Sequence, residues 1–264
     1  MVQNPMEWQE VSGNWILAPA RPIAMLHFLG GAFVATAPSL TYGWLLENLA
    51  QAGYLVVATP FLNGFDHEAI AETVLINFLQ AQDYLYRSVL PPGAALPVYG
   101  LGHSMGCKLH LLINSLWEVE RRGNIYISFN NYPAQAAIPL WEQLGQLNPS
   151  LSLEFTPSPP ATLALIAEDY PVSRNLLIKF RNDNLDQTRS LSEVLVGRFP
   201  HSTAVRILPG THTTPIAQDI AWQPGQSFTP LDALGQFLKQ EWYRDLQQLK
   251  KDLVRWLGSP PQDG

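Results

Sequence analysis

The sequence predicts a three-layer α/β domain with a mostly parallel central sheet of about eight strands. Three observations predict it. Short apolar runs alternate with segments whose apolar residues recur every three or four positions, the pattern of βαβ units. Most of those runs lack polar alternation, as strands covered on both faces do. The 264 residues, 47% of them hydrophobic, also suffice for one large core.

The elements follow in order. Trp8-Gln9-Glu10-Val11 and Gly13-Asn14-Trp15-Ile16-Leu17 read as a hairpin turning at Ser12-Gly13-Asn14. Pro22-Ile23-Ala24-Met25-Leu26-His27-Phe28 is a buried strand, followed by Leu29-Gly30-Gly31 and a helix over Ser39–Gln51 that Gly53 stops. A strand over Tyr54–Thr59 closes at Pro60. Asp66 then caps a helix with Ile70, Val74, Phe78, Ala81 and Leu85 on one face, ended by Pro91-Pro92-Gly93. Val98 opens the next strand, which runs into a helix carrying Leu109, Leu112 and Ile113, and Ile125–Phe129 is the strand after it. Between Tyr132 and Arg174 seven prolines break the rhythm, so a small cap is expected over about 132–174. The sheet resumes at Asn175–Phe180 and at Ala204–Leu208, with a helix near Leu191–Val196 between them. Thr229, Pro230 and Asp232 begin a long C-terminal helix whose apolar positions include Leu234, Leu238, Trp242, Leu249, Leu253 and Trp256. Its charged later turns could meet a second copy of the chain, making a homo-oligomer; ordinary core packing is the alternative. The domain is expected to span 1–258, with a disordered tail at 259–264.

Composition excludes several function classes. A net charge of −6, with 14% charged residues and no dense basic block, argues against a nucleic-acid partner. The single cysteine, Cys107, cannot pair internally, which fits a reducing compartment and a cytoplasmic protein. The first residues lack a basic start leading into an apolar run, so no signal peptide is expected. Nor does any 18-residue window read as a membrane span.

The chemistry concentrates at Gly102-His103-Ser104-Met105-Gly106. Gly-x-Ser-x-Gly between an apolar strand and a helix is the context of a nucleophile elbow, with small residues two before and two after the serine. A dinucleotide-binding fingerprint is the competing reading, since Gly100-Leu101-Gly102 begins like one. It fails because its sixth position is Met105. A serine needs a base, and His212 stands on the glycine-containing loop after the last strand. The orienting acid belongs after the preceding strand. Asp183 is favoured there over Asp186, which suits the role of capping the next helix. Two amides must hold a developing oxyanion: Met105 supplies one, and Leu29, or after it Gly30, the other. Of the remaining histidines, His27 should orient the adjacent loop. His103 fills a variable elbow position, His110 lies within the elbow helix, and His67 and His201 read as surface residues. No metal motif and no cofactor are implied. Few charges near these positions, with Trp141 and Trp222 in the flanking segments as substrate contacts, suggest an apolar acyl group.

With these residues in hand, the chain resembles the α/β-hydrolase superfamily over nearly its whole length. It is most similar to a family of unknown function found in cyanobacteria and plant plastids. The resemblance rests on His27-Phe28-Leu29-Gly30-Gly31-Ala32-Phe33, on the elbow, on Phe180-Arg181-Asn182-Asp183-Asn184-Leu185-Asp186-Gln187-Thr188 and on Pro209-Gly210-Thr211-His212. It implies an α/β-hydrolase fold with a cap over the serine. Phe28 stands where many relatives carry a glycine. The expected activity is a serine esterase, lipase or thioesterase with a Ser-His-Asp triad and a small-molecule acyl ester or thioester as substrate. A non-catalytic binding or scaffold protein on the same fold is the alternative.

Overall fold

The computed structural model describes residues 6–32, 34–134, 154–216 and 230–260, with the backbone alone for 230–240. Strands β1 (Gln9–Val11) and β2 (Asn14–Leu17) form a hairpin whose turn residues, Ser12 and Gly13, have φ of 49° and 72°. Two successive left-handed residues give the turn a twist that matches the strands. The other strands are β3 (Ala24–Leu29), β4 (Tyr54–Ala58), β5 (Val98–His103), β6 (Gly123–Ile127), β7 (Asn175–Phe180) and β8 (Thr203–Leu208). The helices are α1 (Pro38–Thr41), α2 (Gly43–Gln51), α3 (His67–Ser88), α4 (Met105–Leu116), α5 (Pro159–Asp169), α6 (Thr188–Arg198) and α7 (Pro230–Gly258).

The eight strands make one sheet in the order β1-β2-β4-β3-β5-β6-β7-β8. The β1–β2 and β2–β4 pairs are antiparallel and all other pairs parallel. Every residue of β3, β4 and β6 is buried, which is why these strands read as mainly apolar runs, with His27 and Asn124 as buried exceptions; β6 begins two residues before the expected Ile125 and ends at Ile127. Alternate residues serve two cores. On one face, Leu26, Phe28, Val56, Leu101, Ile127 and Ile178 pack with Leu45, Leu46 and Leu49 of α2 and Leu246, Leu249 and Leu253 of α7. On the other, helices α3 to α6 cover Met25, Leu55, Val57, Tyr126 and Leu177. Three layers result.

The strand order reverses between β3 and β5, so the loops after these strands diverge and leave a crevice at their carboxyl ends. Open α/β sheets place their sites in such crevices.

Two differences from the sequence reading bear on function. The helix expected over Ser39–Gln51 is broken at Tyr42 (φ −118°, ψ 11°) into α1 and α2. Tyr42 is fully buried, its ring turned into the crevice region instead of continuing the helix face. Within the stretch expected as a cap, residues 135–153 lie outside the described residues. Pro159–Asp169 forms α5, whose Ile166 packs with Leu111 of α4, Tyr126 and Leu177. Ser158 and the two prolines at its start supply the helix-initiating signal. The expected cap residue Thr229 and most of the expected tail also lie outside the described residues. Ser259, the first tail residue, accepts a hydrogen bond from Arg174 Nη2 at its carbonyl, at 2.8 Å. Among the described residues no helix is long and apolar enough to cross a membrane.

Candidate active site

Ser104 sits between β5 and α4 with φ 54° and ψ −119°, a backbone state that L-residues adopt only when the surroundings impose it. The surroundings are tight. A Cβ on Gly102 would lie 2.7 Å from the Cys107 backbone, and one on Gly106 would run into the Leu29 carbonyl. Both glycines are therefore required for β3, the turn and α4 to approach this closely. Ser104 N–H donates to the Ile127 carbonyl at 2.9 Å, tying the turn to the end of β6. The Met105 N–H belongs to the first turn of α4 and has no intrahelical acceptor.

His212 and Asp183 arrive on loops that leave adjacent parallel strands. Asn182 N–H donates to the Gly210 carbonyl at 3.1 Å, extending the β7–β8 pairing into both loops. Gly210 has φ 123°, and a Cβ there would strike the Thr214 hydroxyl, which instead accepts from Thr211 N–H at 2.8 Å. This turn presents the imidazole. Its Nε2 is 3.0 Å from Ser104 Oγ and its Nδ1 is 2.9 Å from Asp183 Oδ2. Asp183 Oδ1 accepts from Leu185 N–H at 2.9 Å. Burial pushes the Asp183 carboxyl up, but the bond to His212, the nearby Ser128 hydroxyl and the Leu185 amide outweigh it, and the net shift is down.

Asp186 is elsewhere. Its carboxylate takes Lys179 Nζ at 2.9 Å and the amide and hydroxyl of Thr188 at 3.0 and 2.7 Å, fastening the start of α6.

A second chain of hydrogen bonds supports the first. His103 Nε2 is 2.9 Å from the carbonyl of His212. A carbonyl can only accept, so Nε2 carries the proton. Burial, and secondarily His212, lower His103 to about 3, so the ring is neutral and Nδ1 must accept. It accepts from the Tyr42 hydroxyl at 2.8 Å, whose oxygen takes the Gly31 N–H at 2.8 Å. Burial keeps that phenol protonated, well above its ordinary range. One directed chain thus runs from Gly31 N–H through Tyr42 and His103 to the backbone of His212. It joins the loop after β3, the elbow and the histidine loop. The sequence offered no sign of this beyond the identity of His103.

The cavity over Ser104 has a volume of about 510 Å³. Its described lining is Ala32, His67, Ser104, Met105, Lys108, Asn130, Asn131, Tyr132, Phe155, Leu185 and His212. Leu29 and Gly30 are not among these. Leu29 ends β3 with its side chain in the α3–α4 layer, and Gly31 has committed its N–H to Tyr42. Trp141 and Trp222 lie outside the described residues. His67 is a correction: it is buried, stacked on Phe155 at 4.3 Å, and lowered to about 3 chiefly by burial, because Phe155 and Thr156, within the stretch expected as a cap, fold over it. His27 does not hold the adjacent loop either. It reaches Thr59 Oγ1 and Arg121 Nη2, each at 3.1 Å, and stacks on Phe78. His201 is exposed. The expectation of few charges near the serine also needs amending, since Lys108 stands in the wall. Its spacing of four from Ser104, one helical turn, was the available signal.

The fold defined by this sheet and elbow is the α/β-hydrolase fold. Similar solved structures include an esterase of Pyrococcus furiosus, with 15% identity and a TM-score of 0.57, covering 96% of this chain and 92% of that one. A fluorophosphonate-binding serine hydrolase of Staphylococcus aureus matches at 14% identity and a TM-score of 0.56, covering 90% and 99%. A carboxyl esterase of Bacillus coagulans matches at 13% identity and a TM-score of 0.55, covering 96% and 97%. These likenesses establish the fold. The chain itself belongs to the family described as a protein of unknown function, DUF1350, whose profile matches residues 7–259. No curated protein matches the sequence.

Proposed function

We propose that this protein is a serine hydrolase that cleaves a carboxylic ester or thioester, with an apolar acyl group, through an acyl-enzyme. The observation that carries the reading is the continuous hydrogen-bond chain from Ser104 Oγ to His212 to Asp183. Ser104 Oγ attacks the acyl carbon while His212 Nε2 takes its proton. The tetrahedral intermediate collapses, and His212 returns that proton to the departing alcohol or thiol. Water then adds to the acyl carbon by the same route and releases the acid and free Ser104. Asp183 accepts from Nδ1–H, keeping Nε2 available, and offsets the charge of the imidazolium. The oxyanion is held by Met105 N–H and by an amide of the 29–32 segment. Ala32 suits the second role better than Leu29 or Gly30, because it shares the cavity wall with Met105.

The apolar acyl group is supported by a groove of about 540 Å³ whose lining includes Pro60, Phe61, Leu62 and Ile70. Phe61 and Ile70 belong to the same apolar cluster as Ala32 and Met105, which line the cavity over the serine. A cytoplasmic setting fits the buried, unpaired Cys107.

The test is labelling with a fluorophosphonate probe, with the adduct located by mass spectrometry. The expected result is an adduct on Ser104 that His212→Ala removes. A folded protein that stays unlabelled would return the scaffold reading.

A further inference from the structure

Lys108 lies on α4 one turn beyond Ser104 and lines the same cavity, with only 1% of its surface exposed. It has three N–H donors and one hydrogen-bond acceptor among the described residues, the Pro157 carbonyl at 2.8 Å. Its ammonium also faces the Phe155 ring, 5.8 Å from the centroid. No carboxylate of the described residues is within ion-pair distance. Glu154 points its Oε1 instead at the amides of Ala134 and Phe155, at 3.2 and 2.9 Å. An ammonium buried without a counter-charge is costly, and an apolar side chain of similar length would fill the space more stably. The missing partner is an anion, and the open side of the site is the cavity.

We propose that Lys108 binds a carboxylate carried by the substrate, so that this hydrolase selects acidic esters or thioesters. The proposal rests on the serine-hydrolase reading for the position of the reacting carbonyl, and it amends the acyl group of that reading to an apolar methylene chain that ends in a carboxylate. A monoanion fits better than a phosphate dianion, because Lys108 is the one cationic side chain in the described lining; His67 is held neutral. Ser104 and Lys108 line one cavity and stand one helical turn apart, about 6 Å along the axis, so a substrate that reaches both carries its carboxylate a few bonds from the scissile carbonyl. Glutarate and adipate half-esters have that spacing.

Lys108 is lowered to about 7, mainly by burial, with Glu154 opposing the shift. The groups facing it are His67 on α3, Glu154 before α5 and His212 across the cavity. Recognition should therefore weaken as pH rises from 6 to 9.

The experiment uses Ser104→Ala protein, which needs no turnover, and isothermal titration calorimetry with monomethyl glutarate against its neutral counterpart, dimethyl glutarate. The expected result is at least tenfold tighter binding of the half-ester, reduced to parity in Ser104→Ala/Lys108→Met. In Ser104→Ala/Lys108→Arg the preference persists and no longer falls with pH, since arginine stays charged. Equal binding of the two esters by Ser104→Ala, or a preference that survives Lys108→Met, overturns the proposal and leaves Lys108 as a tether for Pro157. If Lys108→Met does not fold, the pH profiles decide: one that is flat with lysine present refutes it. Probe labelling of the wild-type protein separates the two readings. A labelled Ser104 with no ester preference sinks the carboxylate alone, whereas lysine-dependent binding without labelling sinks hydrolysis alone.

Discussion

Replacing Asp183 by asparagine separates the two aspartates of the β7–α6 loop most sharply. In the proposed acyl transfer His212 would become an imidazolium; its Nδ1 lies 2.9 Å from the Asp183 carboxylate. At that distance and an effective dielectric of about 20, the attraction is about 6 kcal/mol. The His212 side chain is 17% exposed and Asp183 fully buried, so water screens part of it and about 4 kcal/mol is a fairer figure. That is about a thousandfold in kcat/KM, to which asparagine adds a chance of holding the wrong tautomer. Asp186→Asn removes a carboxylate that serves Lys179 and Thr188 only. It should cost about 1 kcal/mol of stability and less than threefold in kcat/KM. The assay is hydrolysis of p-nitrophenyl esters by both variants, with urea unfolding in parallel. If Asp183→Asn kept activity within tenfold while Asp186→Asn lost it, the assignment of the acid would be wrong.

Three further outcomes are expected. Tyr42→Phe leaves the Gly31 N–H and His103 Nδ1 buried without partners, which should cost about 2–3 kcal/mol in urea unfolding. It should lower kcat about tenfold with KM unchanged if the chain positions the oxyanion loop and His212; an unaltered kcat would mean that it serves stability alone. Stability should also fall on acidification, since His67, His103 and His110 are each lowered to about 3, chiefly by burial. In the unfolded chain they bind protons near pH 6.5 and in the folded chain near 3, so each contributes stability that is lost between those limits as pH drops, at up to about 1.4 kcal/mol per unit. Asp183, lowered as well, acts in the same sense below its unfolded value. His110→Leu removes two buried ring nitrogens without a hydrogen-bond partner among the described residues and should flatten the slope of unfolding free energy against pH; an unchanged slope would show that His110 does not stay neutral.

Much of this was legible in the chain. The inner parallel strands were, because strands buried on both faces must be largely apolar and such runs stand out; β1 and β2 were legible instead through the Ser12-Gly13 turn between them. So was the elbow, because a serine with positive φ under a crossing strand demands glycine on both sides, a local requirement that a local pattern records. Ser104, Asp183 and His212 drew notice through their order along the chain and their places after particular strands. What the sequence by itself determined, then, was whatever depends on neighbouring residues and on period. The tertiary structure alone decided the rest. Tyr42 interrupts a good helical pattern because Gly31 and His103, 11 and 61 residues away, offer its hydroxyl a buried donor and acceptor. Asp183 and Asp186 are alike in sequence and part company only when Gly210 pairs with Asn182 and brings His212 to one of them. Lys108 looked like one more residue of an amphipathic helix until Phe155 and Pro157 folded over it. In each case a polar group is taken out of water by a remote segment, and its partner, or the lack of one, is set by three-dimensional approach that no local pattern encodes.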